Sequence, residues 1–249
     1  MRHSGMNIRK SASGLRSLLP QAARERLYAW HPGRARRWET YPGLERLDPR
    51  GHAVLTFDDG PDPDATPAVL DALDRTGARA TFFVLGTQVE CHPHLARDVV
   101  ERGHEIALHG YGHERQDRID SDRSAEDMRR GYSVLEEYLG VQYRWYRPPY
   151  GKMSDGAART CASLGMNVVY WSAWGLDWEE VGAARIADVV SDQLDDGGIL
   201  LLHDSARHAR RASAAPTADA IELIAENARQ RGISLISLGE ALAYAGSFA

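Results

Sequence analysis

The sequence predicts an α/β fold, a (β/α) barrel of about seven parallel strands, and three observations carry that expectation. Apolar runs recur at 52–57, 79–85, 104–109, 142–147, 167–173, 198–203 and 233–237. Stretches with helix-start and helix-stop signals lie between them. The chain, at 249 residues, is long for one ordinary domain but suits a single barrel. Strand–helix alternation over this length implies parallel strands covered by helices, and the number of runs favours a barrel, complete or not, over an open sheet.

Residues 1–50 stand apart from this pattern. Leu15, Leu18, Leu19, Ala22, Ala23, Leu27 and Trp30 recur at roughly helical spacing, interrupted by Pro20 and ended by His31-Pro32-Gly33. The segment holds 11 Lys and Arg against 4 Asp and Glu, a net of +7 in a chain whose total is −5, so the other 199 residues carry −12. It is expected to be a basic helical extension packed on the protein's own core, with peripheral membrane contact as the alternative. The catalytic domain is expected over 51–249.

Within that domain the first run ends at Asp58-Asp59-Gly60-Pro61. Thr66 then reads as an N-cap, with Pro67 at the first helical position and Val69, Leu70 and Leu73 as an apolar stripe. Ser124 and Asp127 read as an approximate capping box ahead of Met128, Val134, Leu135 and Tyr138. Gly77, Gly103, Gly140, Gly165, Gly197 and Gly232 sit where helices should stop. The segment 205–218 reads as a loop.

Composition excludes several classes of function. A net charge of −5 argues against a nucleic-acid protein. Cys91 and Cys161 are too few and too far apart for a disulfide framework. No window holds the roughly 20 apolar residues of a membrane span. Met6 to Leu19 is broken by polar residues and lacks a secretory apolar core, so a cytoplasmic location is expected, which favours a short glycoside over an assembled cell wall.

Polar residues gather at the C-terminal ends of the expected strands, which in an α/β barrel converge on one face. Asp58 and Asp59 end the first, His109 the third, Arg147 the fourth and His203 the sixth, while Asp177 follows the fifth. Two adjacent carboxylates resist joint ionisation unless a cation relieves them. His109 and His113 stand at i and i+4, a spacing that brings two imidazoles to one face of a helical turn. Adding Asp59 gives the two-His, one-carboxylate set of a catalytic metal site and leaves Asp58 free to act as a base.

Thr56-Phe-Asp-Asp-Gly-Pro61, His109 with His113, Arg147-Pro-Pro-Tyr-Gly151, Asp177-Trp178 and Leu201-Leu-His203 occur in that order. Together they resemble the five motifs of the polysaccharide deacetylase (NodB-homology) family, carbohydrate esterase family four, over about residues 50–240. The resemblance implies a distorted (β/α) barrel and metal-dependent removal of acyl groups, usually N-acetyl from amino sugars. It implies that Asp59, His109 and His113 hold a divalent metal, Zn²⁺ first, with Co²⁺, Ni²⁺, Mn²⁺ or Fe²⁺ as alternatives. Asp58 is then the general base, Arg147 keeps it charged and oriented, the Tyr150 N–H stabilises the oxyanion, and His203 is the general acid tuned by Asp177. Pro149, Tyr150, Trp174 and Trp178 are the candidates for substrate contact.

Two positions depart from the family pattern. Gly110 stands where a Ser or Thr hydroxyl is expected, and Trp174 where the fourth motif has an Asp. Trp171, Trp174 and Trp178 serve either as core or as a sugar-stacking surface. The basic residues around Arg207–Arg211 should lie near the pocket mouth, as a solvated loop or as a grip for an anionic group. His52, His92, His94 and His104 are expected to have no direct role, and Asp62 and Asp64 to serve the turn. The main expectation is an enzyme acting on an acylated amino sugar or a related small-molecule amide. The alternatives are hydrolysis of a linear or cyclic non-sugar amide, as in allantoinase-like relatives, and an inactive glycan-binding barrel.

Overall fold

Strand β1 (His52–Asp58) is the axis of the sheet, with paired neighbours along both edges. The computed structural model describes residues 40–140 and 143–246. Among them β2 (Thr81–Val84), β3 (Glu105–Leu108), β4 (Trp145–Tyr146), β5 (Asn167–Val168), β6 (Ala173–Trp174), β7 (Ile199–His203) and β8 (Ser234–Ile236) follow, every pairing parallel. Their order is β5-β4-β3-β2-β1-β7-β6, with β8 joined to the first residues of β1. The helices are α1 (Thr66–Thr76), α2 (Gly86–Cys91), α3 (Pro93–Glu101), α4 (Ser121–Leu139), α5 (Asp155–Ser163), α6 (Ala183–Ser191), α7 (Ala215–Gln230) and α8 (Leu238–Gly246). The architecture is a distorted, open parallel barrel whose main path has seven strands.

The run 167–173 divides where one strand was expected. β5 pairs with β4 and β6 with β7, and no ladder joins β5 to β6 among the described residues. The backbone of Leu44 takes their place, donating to Val168 (2.8 Å) and accepting from Tyr170 (2.7 Å), and Leu47 donates to the Gly197 carbonyl (2.7 Å). Residues 44–47, assigned above to the extension, thus pair with the barrel, and the chain is compact from Tyr41 onward. Residues 1–39 of that extension lie outside the described residues.

Side-chain alternation divides the core in two. Ala53, Leu55 and Phe57 join the layer between sheet and helices, with Val69, Leu70 and Leu73 of α1 and Ile221 and Ile224 of α7. Val54 joins a smaller cluster inside the barrel with Phe83, Ala107, Val169 and Ile199. The same period of two turns Thr56 and Asp58 inward from β1, His109 inward after Ala107, and His203 inward after Ile199. Register then levels these residues, since Asp58 pairs with His203 across β1 and β7, and with Phe83 across β1 and β2. The polar cluster at the barrel's C-terminal rim therefore follows from alternation and register.

Two expected helix caps are corrected. Ala65 precedes α1 and Thr66 is already helical, its hydroxyl turned instead to the Asp204 carboxylate at 2.6 Å. Asp120 caps α4, accepting from the Arg123 N–H at 2.8 Å, while Ser124 lies a turn inside the helix against Ser154. Both Asp120 and Ser124 suit a cap, and the extended backbone needed for capping occurs at Asp120. The six glycines read as helix stops all adopt positive φ. No helix among the described residues is long and apolar enough to cross a membrane.

Phe57 is fully buried and stacks on Phe82 with ring centroids 5.1 Å apart. Phe57→Ala is expected to cost about 3–5 kcal/mol, read as a lower urea midpoint with an unchanged slope. A loss below about 1 kcal/mol contradicts its place in the core.

Candidate active site

The strand ends deliver Asp58 inward, and a turn then redirects its neighbour. Continued alternation would point residue 59 at the helix layer, but Asp59 has a φ of 81°. That left-handed conformation is one that Asp tolerates better than most residues. It brings the Asp59 carboxylate back over the pocket, where Oδ1 lies 3.2 Å from His113 Nε2 and 3.4 Å from His109 Nε2.

Neither contact has hydrogen-bond geometry, and Asp59 Oδ1 is buried without a hydrogen-bond partner. The Arg147 carbonyl can only accept, so His109 Nδ1, 2.7 Å from it, carries a proton, and Nε2 is the nitrogen turned toward Asp59. Burial pushes His113 down to about 3 against the pull of Asp59, which leaves that ring neutral at pH 7. A buried carboxylate oxygen that faces two imidazole nitrogens without a hydrogen bond is unfavourable unless a cation lies among them. The three ligand atoms all lie within 4.8 Å of one another. Asp59, His109 and His113 form a binding triad for a divalent metal.

Asp58 turns the other way. Its Oδ1 accepts from Arg147 Nη1 at 2.7 Å, and its Oδ2 lies 3.8 Å from His109 Nε2. Arg147 has no solvent exposure. Its Nη1 also donates to Thr56 Oγ1 (2.7 Å) and its Nη2 to the Tyr170 carbonyl (2.9 Å), while the guanidinium lies over the Phe83 ring at 4.1 Å. Burial lowers the Arg147 pKa and Asp58 opposes that, so the cation persists at neutral pH.

Across the β1–β7 pair, His203 Nδ1 lies 2.8 Å from Asp177 Oδ1, and the His203 backbone N–H donates to Asp177 Oδ2 at 2.8 Å. Burial disfavours the charged imidazole, but Asp177 outweighs it and His203 is pushed up to about 9. Asp177 is lowered despite burial, by His203 and by Arg211 3.5 Å away. One carboxylate near a metal triad and one protonated imidazole next to it are the two groups that a division of proton work between a base and an acid requires.

The comparisons with known proteins agree with this geometry. A family model described as polysaccharide deacetylase matches residues 46–169. A peptidoglycan-N-acetylglucosamine deacetylase of Bacillus cereus is 32% identical over 210 residues, spanning 83% of this chain and 92% of the relative. The chain belongs to the polysaccharide deacetylase family. A chitooligosaccharide deacetylase of Sinorhizobium fredii is 39% identical over 153 residues, 60% of this chain and 70% of the relative. The crystal structure of a peptidoglycan N-acetylglucosamine deacetylase in complex with an N-oxidanyl-benzamide superposes with a TM-score of 0.75 at 26% identity, covering 85% of this chain and 97% of that one. With the metal triad in place, this member of the family is a metal-dependent hydrolase.

The remaining expected site residues are distributed around this centre. Tyr150, with a φ of 59°, is 51% exposed and packs its ring against His113 at 4.5 Å between centroids. Trp178 meets the His203 ring edge-on at 5.8 Å. Pro149 and Trp174 are buried, which leaves little of either for a substrate. The basic loop is neither simply solvated nor an open anion grip. Arg207 lies 3.2 Å from Asp62 and Arg210 3.7 Å from Glu179, and Arg211 is buried.

Several working residues escaped the sequence reading because their partners are distant in the chain. Asp204 accepts from the Gly60 N–H (3.1 Å) and the Thr66 hydroxyl (2.6 Å), clamping the turn that aims Asp59. A Cβ on Gly60 would stand 2.1 Å from Asp204 Oδ2. Burial pushes Asp204 up to about 7. Arg211 donates to the His203 carbonyl (3.0 Å), and Thr217 donates to Asp177 (2.8 Å), so both brace the His203–Asp177 pair. His208 stacks on His113 at 4.1 Å. The one available signal was adjacency of Asp204 to His203.

Saturating Zn²⁺ is expected to raise the melting temperature, since a ligand at 100 times its Kd stabilises by about 2.7 kcal/mol. Asp59→Ala should abolish that shift and Asp58→Asn should keep it. Equal loss in both variants contradicts the division between the two carboxylates.

Proposed function

We propose that this pocket removes the N-acetyl group from an amino sugar of a glycan, with Zn²⁺ as the native ion. The observation that carries the reading is the opposite orientation of two consecutive carboxylates, Asp59 to the imidazoles and Asp58 to Arg147. The two relatives described above are named as deacetylases of peptidoglycan N-acetylglucosamine and of chitooligosaccharides, which supports an N-acetylated amino sugar as substrate.

A divalent ion held by Asp59, His109 and His113 supplies Lewis-acid polarisation of the acyl carbonyl and a lowered pKa for water. The work of the chain itself is to place protons and charge. Asp58 accepts the proton of the attacking water, and its bond from Arg147 fixes the carboxylate so that Oδ2 is the basic atom. The Tyr150 backbone N–H faces the developing oxyanion, where a preorganised donor is worth more than in water. His203 enters the cycle protonated, because Asp177 favours its charged form, and passes its Nε2 proton to the departing amine. Tyr150 and Trp178 flank the sugar ring, and Pro149 and Trp174 support that wall from behind.

Acetate release from N-acetylated chitooligosaccharides or peptidoglycan fragments is expected, abolished by a chelator and restored by Zn²⁺ or Co²⁺. Asp58→Asn should lower kcat by about 10²–10⁴-fold while retaining the metal. Turnover of cyclic amides with no acetate released from any sugar contradicts the substrate class.

Activity should also fall on the alkaline side as His203 loses its proton. The pKa of about 9 reflects Asp177 and also the charges of Asp58 and Asp59, which a bound cation offsets. The alkaline limb is therefore expected no higher than about pH 9. It should move toward the ordinary imidazole value in Asp177→Asn. An unmoved limb in that variant shows that another group donates the proton.

A further inference from the structure

Gly110 interrupts the family motif between the two metal-binding imidazoles, and the space it leaves is used. Gly110 adopts a φ of 103°, and a Cβ there would stand 2.7 Å from Asp127 Oδ2 and 3.2 Å from the Gly112 carbonyl. Asp127 comes from the second turn of α4, a place where Asp is disfavoured unless its carboxylate finds partners. Its partners are in the loop. Oδ2 accepts the Tyr111 N–H at 3.1 Å and Oδ1 accepts the Gly112 N–H at 2.8 Å. We infer that Asp127 is a positioning residue for metal binding, its carboxylate standing in for a side chain at 110 and fixing the peptide units between His109 and His113.

The opposite edge of the same loop is held independently. The carbonyls of Gly110 and Tyr111 accept from the N–H groups of Gly86 and Thr87 at 2.9 Å each. A Cβ on Gly131, one turn beyond Asp127, would meet the Gly110 carbonyl carbon at 2.7 Å, so α4 lies against the loop backbone. The α2 terminus thus binds the loop's acceptors and Asp127 its donors. A backbone gripped on both edges has little freedom, even with glycine at 110 and 112.

His113 has more need of that grip than His109. The His109 ring is oriented by its bond to the Arg147 carbonyl. His113 Nδ1 is buried and makes no hydrogen bond among the described residues, and its ring is steadied by stacking on His208 and by tilted contacts with Tyr150 and His109. A metal-binding imidazole usually donates its second nitrogen to a partner that fixes the ring, and loss of such support costs about 10–100-fold in metal affinity. In this chain the loop backbone carries that duty for His113, through Asp127.

This inference deepens the metal-hydrolase reading and rests on the triad, whatever the sugar. The test uses the full chain, with Zn²⁺ affinity from chelator competition and the visible spectrum of the Co²⁺-loaded protein. Asp127→Ala should weaken Zn²⁺ binding about 10–100-fold and alter the Co²⁺ bands. The isosteric Asp127→Asn, which keeps one acceptor and its fold, should weaken it less. The inference is overturned if a folded Asp127→Asn or Asp127→Ala protein matches the wild type in both affinity and spectrum. Failure of the wild type to bind either ion would instead remove the metal reading itself.

Discussion

A guanidinium with no access to solvent sits under the two consecutive carboxylates, and the arrangement of the pocket follows from it. Burying an arginine costs several kcal/mol unless its donors are matched. Here the matches are a threonine hydroxyl from β1, two backbone carbonyls from the residues after β5, a longer contact to one of them included, and Asp58 itself. Arg147 thereby ties β1, β4 and the open seam of the barrel together at one level. Removing it would leave a buried carboxylate uncompensated, a change that typically costs about 3–5 kcal/mol. The same bond fixes one oxygen of Asp58 on Arg147, which leaves the other for the proton in the proposed mechanism.

The rest of the site can be understood as support for that division. Asp59 reaches the imidazoles because its backbone enters the left-handed region, and Asp204 clamps the following residue through the Gly60 N–H. The His203–Asp177 pair on the other side is braced by Thr217 and Arg211. Each of these side chains is thus held by at least one residue from a different element. Rigid support of this kind is what preorganised acid–base chemistry needs.

Much of this was legible from residue order. The placement of Asp58, His109, Arg147 and His203 at strand ends, with period-two alternation, was enough to bring them together once a parallel barrel was expected. The metal triad followed from residue types and spacing, sharpened by the family motifs. Other features depend on contacts that local sequence does not encode. The run 167–173 reads as one strand because its residues are continuously apolar, yet the backbone of Leu44 occupies its middle. Asp127 looks like half of a capping box three residues after Ser124, but the helix starts earlier at Asp120 and frees it for the metal loop. Arg207, Arg210 and Arg211 look like a solvated basic loop, whereas their partners Asp62, Glu179 and Asp177 lie far away in sequence. Gly110 looks like a weakened motif until the neighbouring helix is in place.

In the proposed mechanism the consecutive carboxylates perform different tasks, Asp59 holding the ion and Asp58 holding Arg147. The most direct measurement is a crystal structure of the Zn²⁺-loaded protein with anomalous scattering at the zinc edge. One strong peak is expected about 2.0–2.2 Å from Asp59 Oδ1, His109 Nε2 and His113 Nε2, with Asp58 Oδ1 still bonded to Arg147 Nη1. An ion chelated by Asp58 together with Asp59, with the Arg147 bond broken, would contradict it.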